Sequence, residues 1–257
     1  MKISPSKTSL DALLESNKQW FDWIEAANKF ESLLRDKIPW DQLNGSESSF
    51  VVSRLKSTAP ARMVLLNSFY LTIVSGFEEY LRGKIREVTE EYSKGKKKYA
   101  EVAKDVRKTH VQESARLLRR IDSPPDYLSL NMDELCRGLG SCVPGSDRVL
   151  LNPEAFADVD SLVLLVNFSE RIGIFGFNVG LDVLGKDAAI RDALNLPTRT
   201  GAREVAKELG KELSKMRRNR NRIAHTGGNA SDVTSEVLAM HRELVRAIAS
   251  AVNQIVP

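Results

Sequence analysis

Apolar residues recur along this chain at helical spacing almost throughout. Over residues 9–35, Leu10, Leu13, Leu14, Trp20, Trp23, Ile24, Phe30, Leu33 and Leu34 fall roughly three or four apart, ahead of Pro39. The polar stretch 44–49 interrupts the pattern. Pro60, a residue suited to the first helical position, then opens a second helix to about residue 92, with Leu66, Phe69, Ile73, Phe77, Leu81 and Ile85 along one stripe. A basic helix is predicted over 96–120 and stopped by Ser123-Pro124-Pro125. Residues 122–160 hold Pro, Gly, Asn and only short apolar runs, which predicts an irregular insertion with one short helix near 132–139. Helical pattern resumes at 160 with Leu164, Val166, Phe168, Ile172 and Phe175, and Gly173, Gly176 and Gly180 predict a kink or turn near 180. Thr200 is placed to cap a helix running through Leu209, Leu213 and Met216 to His225, with Thr226-Gly227-Gly228 as its stop. A last helix starts near Ser231 or Asp232 and carries Val237, Leu244, Val245, Ile248, Val252 and Ile255. These elements predict an all-α fold, an antiparallel helical bundle forming one domain over 1–257, with 1–59 as a helical extension and 122–160 as the insertion.

Composition narrows the partner more than the fold. No apolar run approaches the ~20 residues of a bilayer span, and the N-terminus lacks the apolar core of a secretory leader, so a protein of the cytoplasm is expected, with no membrane partner. Cys136 and Cys142 have five residues between them and no His close in sequence, which matches neither a zinc pair nor a redox motif. No carboxylates are paired at metal-ligand spacing, so neither metal nor cofactor is expected. Net charge is only +4, but its distribution is uneven. Residues 94–120 hold ten Lys or Arg against three acids, and 201–225 hold eight against three. Two such zones suit an anionic polymer, although lysine-rich helices are also common as solvated faces.

The second zone contains groups that could act on such a polymer. Cleaving RNA without a metal requires a base for the 2′-hydroxyl proton, a cation for the phosphate oxygens and an acid for the leaving 5′-oxygen. Imidazole exchanges protons near neutrality, and guanidinium stays charged and grips two oxygens at once. His225 follows Arg220 by five residues, whereas neither His110 nor His241 has an Arg four to six residues upstream. On an ideal helix Val205, Leu209, Met216 and Ile223 share one face and His225 projects about 200° from Val205, away from that face. Arg218 and Asn221 fall within roughly 20–40° of His225, while Arg220 lies about 140° away. Arg218 therefore competes with Arg220 as the phosphate ligand within one chain. His225 could instead cap the helix by bonding its last carbonyls, and Arg217, Arg218 and Arg222 could simply complement the helix dipole.

The run Arg220-Asn221-x-x-x-His225 late in the chain resembles the HEPN superfamily, compact helical domains many of which are endoribonucleases of toxin–antitoxin, CRISPR and antiphage systems. The early segment Ser75-Gly76-Phe77-Glu78-Glu79-Tyr80-Leu81 resembles the Ser/Ala-x-x-Glu-x-Tyr-Leu helix of the RiboL-PSP-type branch. The resemblance is confined to these two places, and 122–160 matches nothing in it. It implies a homodimer whose Arg/His motifs face each other across one cleft, leaving a 2′,3′-cyclic phosphate and a 5′-hydroxyl. His225 would be base or acid, Arg220 would stabilise the phosphate and Asn221 would orient the pair, with Arg217, Arg218 and Arg222 as further RNA-phosphate ligands. Glu78 would position Arg220 or the His225 ring, unless it is a surface partner of Arg82 four residues on. A toxin or antiviral effector restrained by an antitoxin-like partner follows by the same likeness, as does the alternative of a non-catalytic domain that binds RNA or protein.

Overall fold

The computed structural model describes residues 4–37, 46–96, 98–123, 128, 130–143, 146, 148–226 and 233–256; the side chains of 23, 24, 27–62 and 226 are outside that description. Among these residues the chain is all-α, with ten α-helices and no strand. They are α1 Pro5–Lys37, α2 Ser46–Lys94, α3 Lys104–Leu118, α4 Met132–Gly140, α5 Pro153–Ala157, α6 Val166–Gly173, α7 Leu181–Leu184, α8 Ala188–Ala193, α9 Ala202–Thr226 and α10 Ser235–Ile255. None of the described helices is long and apolar enough to cross a membrane.

The stripe on α2 is the axis of the bundle. Tyr70, Ile73, Val74, Phe77, Leu81 and Ile85 are buried on it, against Leu10, Leu14 and Phe21 of α1, Leu209, Leu213 and Met216 of α9, and Leu244, Val245, Ile248 and Val252 of α10. Each such side chain, fully removed from water, contributes about 1.5–3 kcal/mol of transfer free energy. Helix α1 can lie close along α2 because small residues face it. A Cβ on Gly83 would stand 2.6 Å from Ser6 Cβ, and one on Gly76 would stand 3.0 Å from Leu13 Cδ1. Trp20 does not join this core and is 57% exposed.

Several expected boundaries move. Helix α2 begins at Ser46, not Pro60, and runs through the proline; a missing N–H removes one intrahelical bond but does not stop a helix with helical residues on both sides. The remainder of the expected break, 38–45, lies outside the described residues. The basic helix starts at Lys104 rather than 96, after α2 ends at Lys94 and a 3-10 turn spans Tyr99–Glu101. Gly201, not Thr200, supplies the first accepting carbonyl of α9, to Glu204 and Val205, while Thr200 closes the preceding turn on Pro197. Thr234 caps α10 by accepting from the Val237 N–H, later than the expected start. The stop at Gly227-Gly228 and the starts at Ser231 and Asp232 lie outside the described residues. Between 160 and 180 the expected helix is a 3-10 turn, α6 and then a reversal at Gly176, whose φ of 93° needs a residue without a Cβ.

The described residues of the insertion hold more regular structure than its composition predicts. Asn131 caps α4 by accepting from the N–H groups of Asp133 and Glu134, and Leu117, Leu128, Leu135 and Ala155 form a small core of their own. Helix α5, opened by Pro153, is joined to α2 by the Arg86 guanidinium gripping both oxygens of Glu154 at 2.7 and 3.1 Å. Arg116 and Arg120 both reach the buried carboxylate of Asp158, at 2.7 and 3.1 Å. Part of the first basic zone thus holds the insertion to the bundle.

Buried His110 is the polar centre of this region. The Asn152 N–H donates to its Nε2 at 3.1 Å, so the proton sits on Nδ1, 3.3 Å from Cys142 Sγ. A histidine remote in sequence therefore does meet Cys142. Burial pushes the imidazole from 6.5 down to about 4 and raises the thiol, so the resting pair is neutral imidazole and thiol rather than an activated thiolate. A folded-state pKa below the unfolded one means that the unfolded chain binds the extra proton between them. Stability linked to His110 is complete above about pH 6.5 and falls by on the order of 3 kcal/mol as pH drops to about 4. Thermal melts at pH 7.5 and 5 should show a smaller difference for His110→Gln than for the parent; equal differences would contradict this assignment.

Candidate functional site

The late basic zone folds as α9, a helix in which sequence and packing agree. Val205, Leu209, Leu213, Met216 and Ile223 are buried at three- and four-residue spacing. On the outer face Lys211 pairs with Glu208 at 2.6 Å and Lys215 with Glu212 at 2.5 Å, both at i,i+3. Helical backbone continues through His225 to Thr226, so the terminus does not unwind to bring His225 round to Arg220.

Arg220 projects on the core side of α9, toward α2. Its Nη2 lies 3.7 Å from Oε2 of Glu78, and its Nη1 donates to Asn221 Oδ1 at 3.2 Å. Glu78 is 7% exposed and so is not a surface residue. Its carboxylate sits below the guanidinium, which is itself 43% exposed and keeps a face to solvent. Two segments 142 residues apart in sequence therefore meet through Glu78 and Arg220. His225 is exposed on another side of the helix, about 140° away by helical rotation. Arg217 and Arg218 are exposed as well, and no acid among the described residues lies within ion-pair distance of either; Arg222 is half-buried. The structure thus joins Arg220 to Glu78 and Asn221, and sets His225 apart from the Glu78–Arg220 pair, on the side of Arg218 and Asn221.

A second polar cluster on α9 was not expected from the sequence. Glu212 Oε2 is 3.2 Å from His241 Nε2 on α10, and His241 Nδ1 is 2.9 Å from the Tyr70 hydroxyl on α2. Burial pushes Glu212 up, but bonds from Lys215 and His241 outweigh it and leave the carboxyl below its usual range, hence ionised. Burial likewise lowers His241, with Glu212 opposing, so the ring is neutral, donates from Nε2 and accepts the Tyr70 proton at Nδ1. Asn219 approaches the same hydroxyl, and burial raises the Tyr70 pKa. The signal available in sequence was slight: Asn219 at the buried spacing of α9, and a histidine within the apolar stripe of α10. Among the described residues no three of His, Cys, Asp or Glu gather as a metal ion would require.

Comparisons with family models, with curated proteins and with solved structures gave no match.

Tyr70, His241 and Glu212 link α2, α10 and α9, so their removal tests what orients the site-bearing helix. Tyr70→Phe removes a buried donor and leaves His241 Nδ1 without it, a loss of about 1–3 kcal/mol in urea unfolding. An unchanged midpoint would show that the chain of bonds does not hold α9.

Proposed function

We propose that this protein is a metal-independent endoribonuclease of HEPN type that works as a homodimer, in the cytoplasm, as a toxin or antiviral defence effector. The observation that carries this is the meeting of Glu78 with Arg220, since each belongs to one of the two separate segments that resemble that superfamily. A buried carboxylate 3.7 Å from a half-exposed guanidinium draws the cation toward α2 by charge while leaving its outer N–H groups available to a phosphate. Asn221 bonds the same guanidinium and limits its rotation.

In the proposed reaction the 2′-oxygen attacks phosphorus as its proton passes to a base, the bond from phosphorus to the 5′-oxygen breaks, and an acid protonates that oxygen. The products are a 2′,3′-cyclic phosphate and a 5′-hydroxyl. His225 of one protomer supplies the base or the acid, with a water molecule in the complementary role, and Arg220 of its partner stabilises the charge that grows on the non-bridging oxygens. A cleft shared by two chains lets Arg220 of one protomer and His225 of its partner approach one phosphate, which the 140° between them prevents within a single helix. Arg217, Arg218 and Arg222 hold neighbouring phosphates, giving binding that weakens steeply with salt. An antitoxin-like partner fits a lethal activity of this kind.

Incubation of the purified protein with single-stranded RNA in EDTA tests this. The parent should leave fragments ending in cyclic phosphate, and His225→Ala should cut at least about 100-fold more slowly. Equal cutting by the variant would remove His225 from the chemistry, and RNA binding without any cutting would favour a non-catalytic binding module.

A further inference from the structure

Beside the exposed face of α9 runs a groove of about 460 Å³, lined in part by Arg218 and Arg222, whose floor and far wall none of the assignments above uses. One wall is α9 and the other is α10, where half-buried Val237 and Met240 present an apolar surface. Its size falls within the ~300–1,000 Å³ of small-molecule sites. The polar floor is unusual for a surface groove. Glu212, with its side chain only 14% exposed, is held by Lys215 at 2.5 Å and by His241 at 3.2 Å, and His241 is locked in turn by Tyr70 at 2.9 Å. A carboxylate fixed by two donors is oriented as well as charged, and each of its oxygens retains acceptor capacity.

Lys215, Arg218, Arg222 and His225 follow at intervals of three, four and three residues, one continuous face of α9. Along α9 the groove is lined by Lys215, Arg218 and Arg222, so a strand whose phosphates are held by these arginines toward His225 brings a base within reach of it. An apolar wall with a methionine thioether suits the face of an aromatic ring. The edge of that ring would meet an ammonium and a carboxylate side by side. Guanine alone among the four RNA bases presents an acceptor, O6, followed by two adjacent donors, N1–H and the 2-amino group. Adenine and cytosine turn a ring-nitrogen lone pair toward a carboxylate that approaches their amino group. Uracil offers one N–H between two carbonyls.

We propose that the groove between α9 and α10 is a nucleobase pocket that selects guanine in single-stranded RNA, with Glu212 reading N1–H and the 2-amino group and Lys215 reading O6. It rests on RNA being the substrate, as proposed above, and adds the base that is recognised near the cut. Single-stranded RNA is characteristically recognised in this way, by unstacked bases seated on side chains and bonded along their Watson–Crick edges.

The test is binding rather than cleavage. His225→Ala protein is titrated against labelled RNA nonamers of uridine with one variable central base, followed by fluorescence anisotropy. The guanine strand should bind about tenfold tighter than the other three, the discrimination typical of a bidentate base contact. Glu212→Gln, which keeps an acceptor for His241, should reduce that preference to within about twofold. Lys215→Met, at a side chain 53% exposed and so removing no buried packing, should reduce it about threefold, which keeps the test decisive if the first variant melts early. Equal affinity for all four strands, a preference for another base, a preference untouched in both variants, or no binding at all would overturn the pocket. Guanine-selective binding by a protein that never cuts RNA would keep the pocket and remove the nuclease; cutting without base preference would do the reverse.

Discussion

An α-helix turns 100° per residue, and α9 remains helical through His225. The arrangement of the candidate site depends on that one constraint. Residues five apart cannot face the same way, so Arg220 goes to the α2 side, where Glu78 receives it, and His225 goes to the solvent side with Arg218. Had the helix ended at Asn221, the chain could have folded His225 back over Arg220 and a single protomer would hold both groups. Its continuation holds the two groups apart within one chain and gives the proposed dimer a chemical reason.

The histidines divide by the same geometry. His110 and His241 are fully buried, each with both ring nitrogens engaged and each shifted downward by burial, so they remain neutral at physiological pH and serve as fixed hydrogen-bonding centres. His110 organises the insertion around Asn152 and Cys142. His241 ties α10 to both α2 and α9, setting the rotation of the helix that carries Arg218, Arg220, Asn221 and His225. Polar networks of this kind are stabilising only when every member is satisfied, which couples the orientation of α9 to the core beneath it.

The bundle was legible because its signal is periodic. Leu66, Phe69, Ile73, Phe77, Leu81 and Ile85 mark α2, and Val205, Leu209 and Met216 mark the inner face of α9. The outward position of His225 and the separation of Arg220 from it could be read from the same spacing. Boundaries were less legible, since Pro60 reads as a helix start in sequence while a long helix can accommodate one missing N–H. Within 122–160 the order comes from contacts distant in sequence, such as Arg116 and Arg120 on Asp158 and His110 on Asn152, which leave no periodic trace. For the same reason nothing in the sequence distinguishes Glu212 from Glu204 or Glu208 on the same helix, because only the fold reveals that His241 of α10 stands behind it.

Complementation between two inactive chains tests the shared cleft most directly. Arg220→Ala and His225→Ala proteins are prepared separately, mixed under conditions that exchange protomers, and assayed for RNA cleavage in EDTA. The shared cleft predicts that each is inactive alone and that the mixture regains a substantial part of the parent activity, because a heterodimer pairs the intact Arg220 of one chain with the intact His225 of the other. A mixture that exchanges protomers and stays as inactive as its components, or a parent protein that cuts RNA as a monomer, would contradict it.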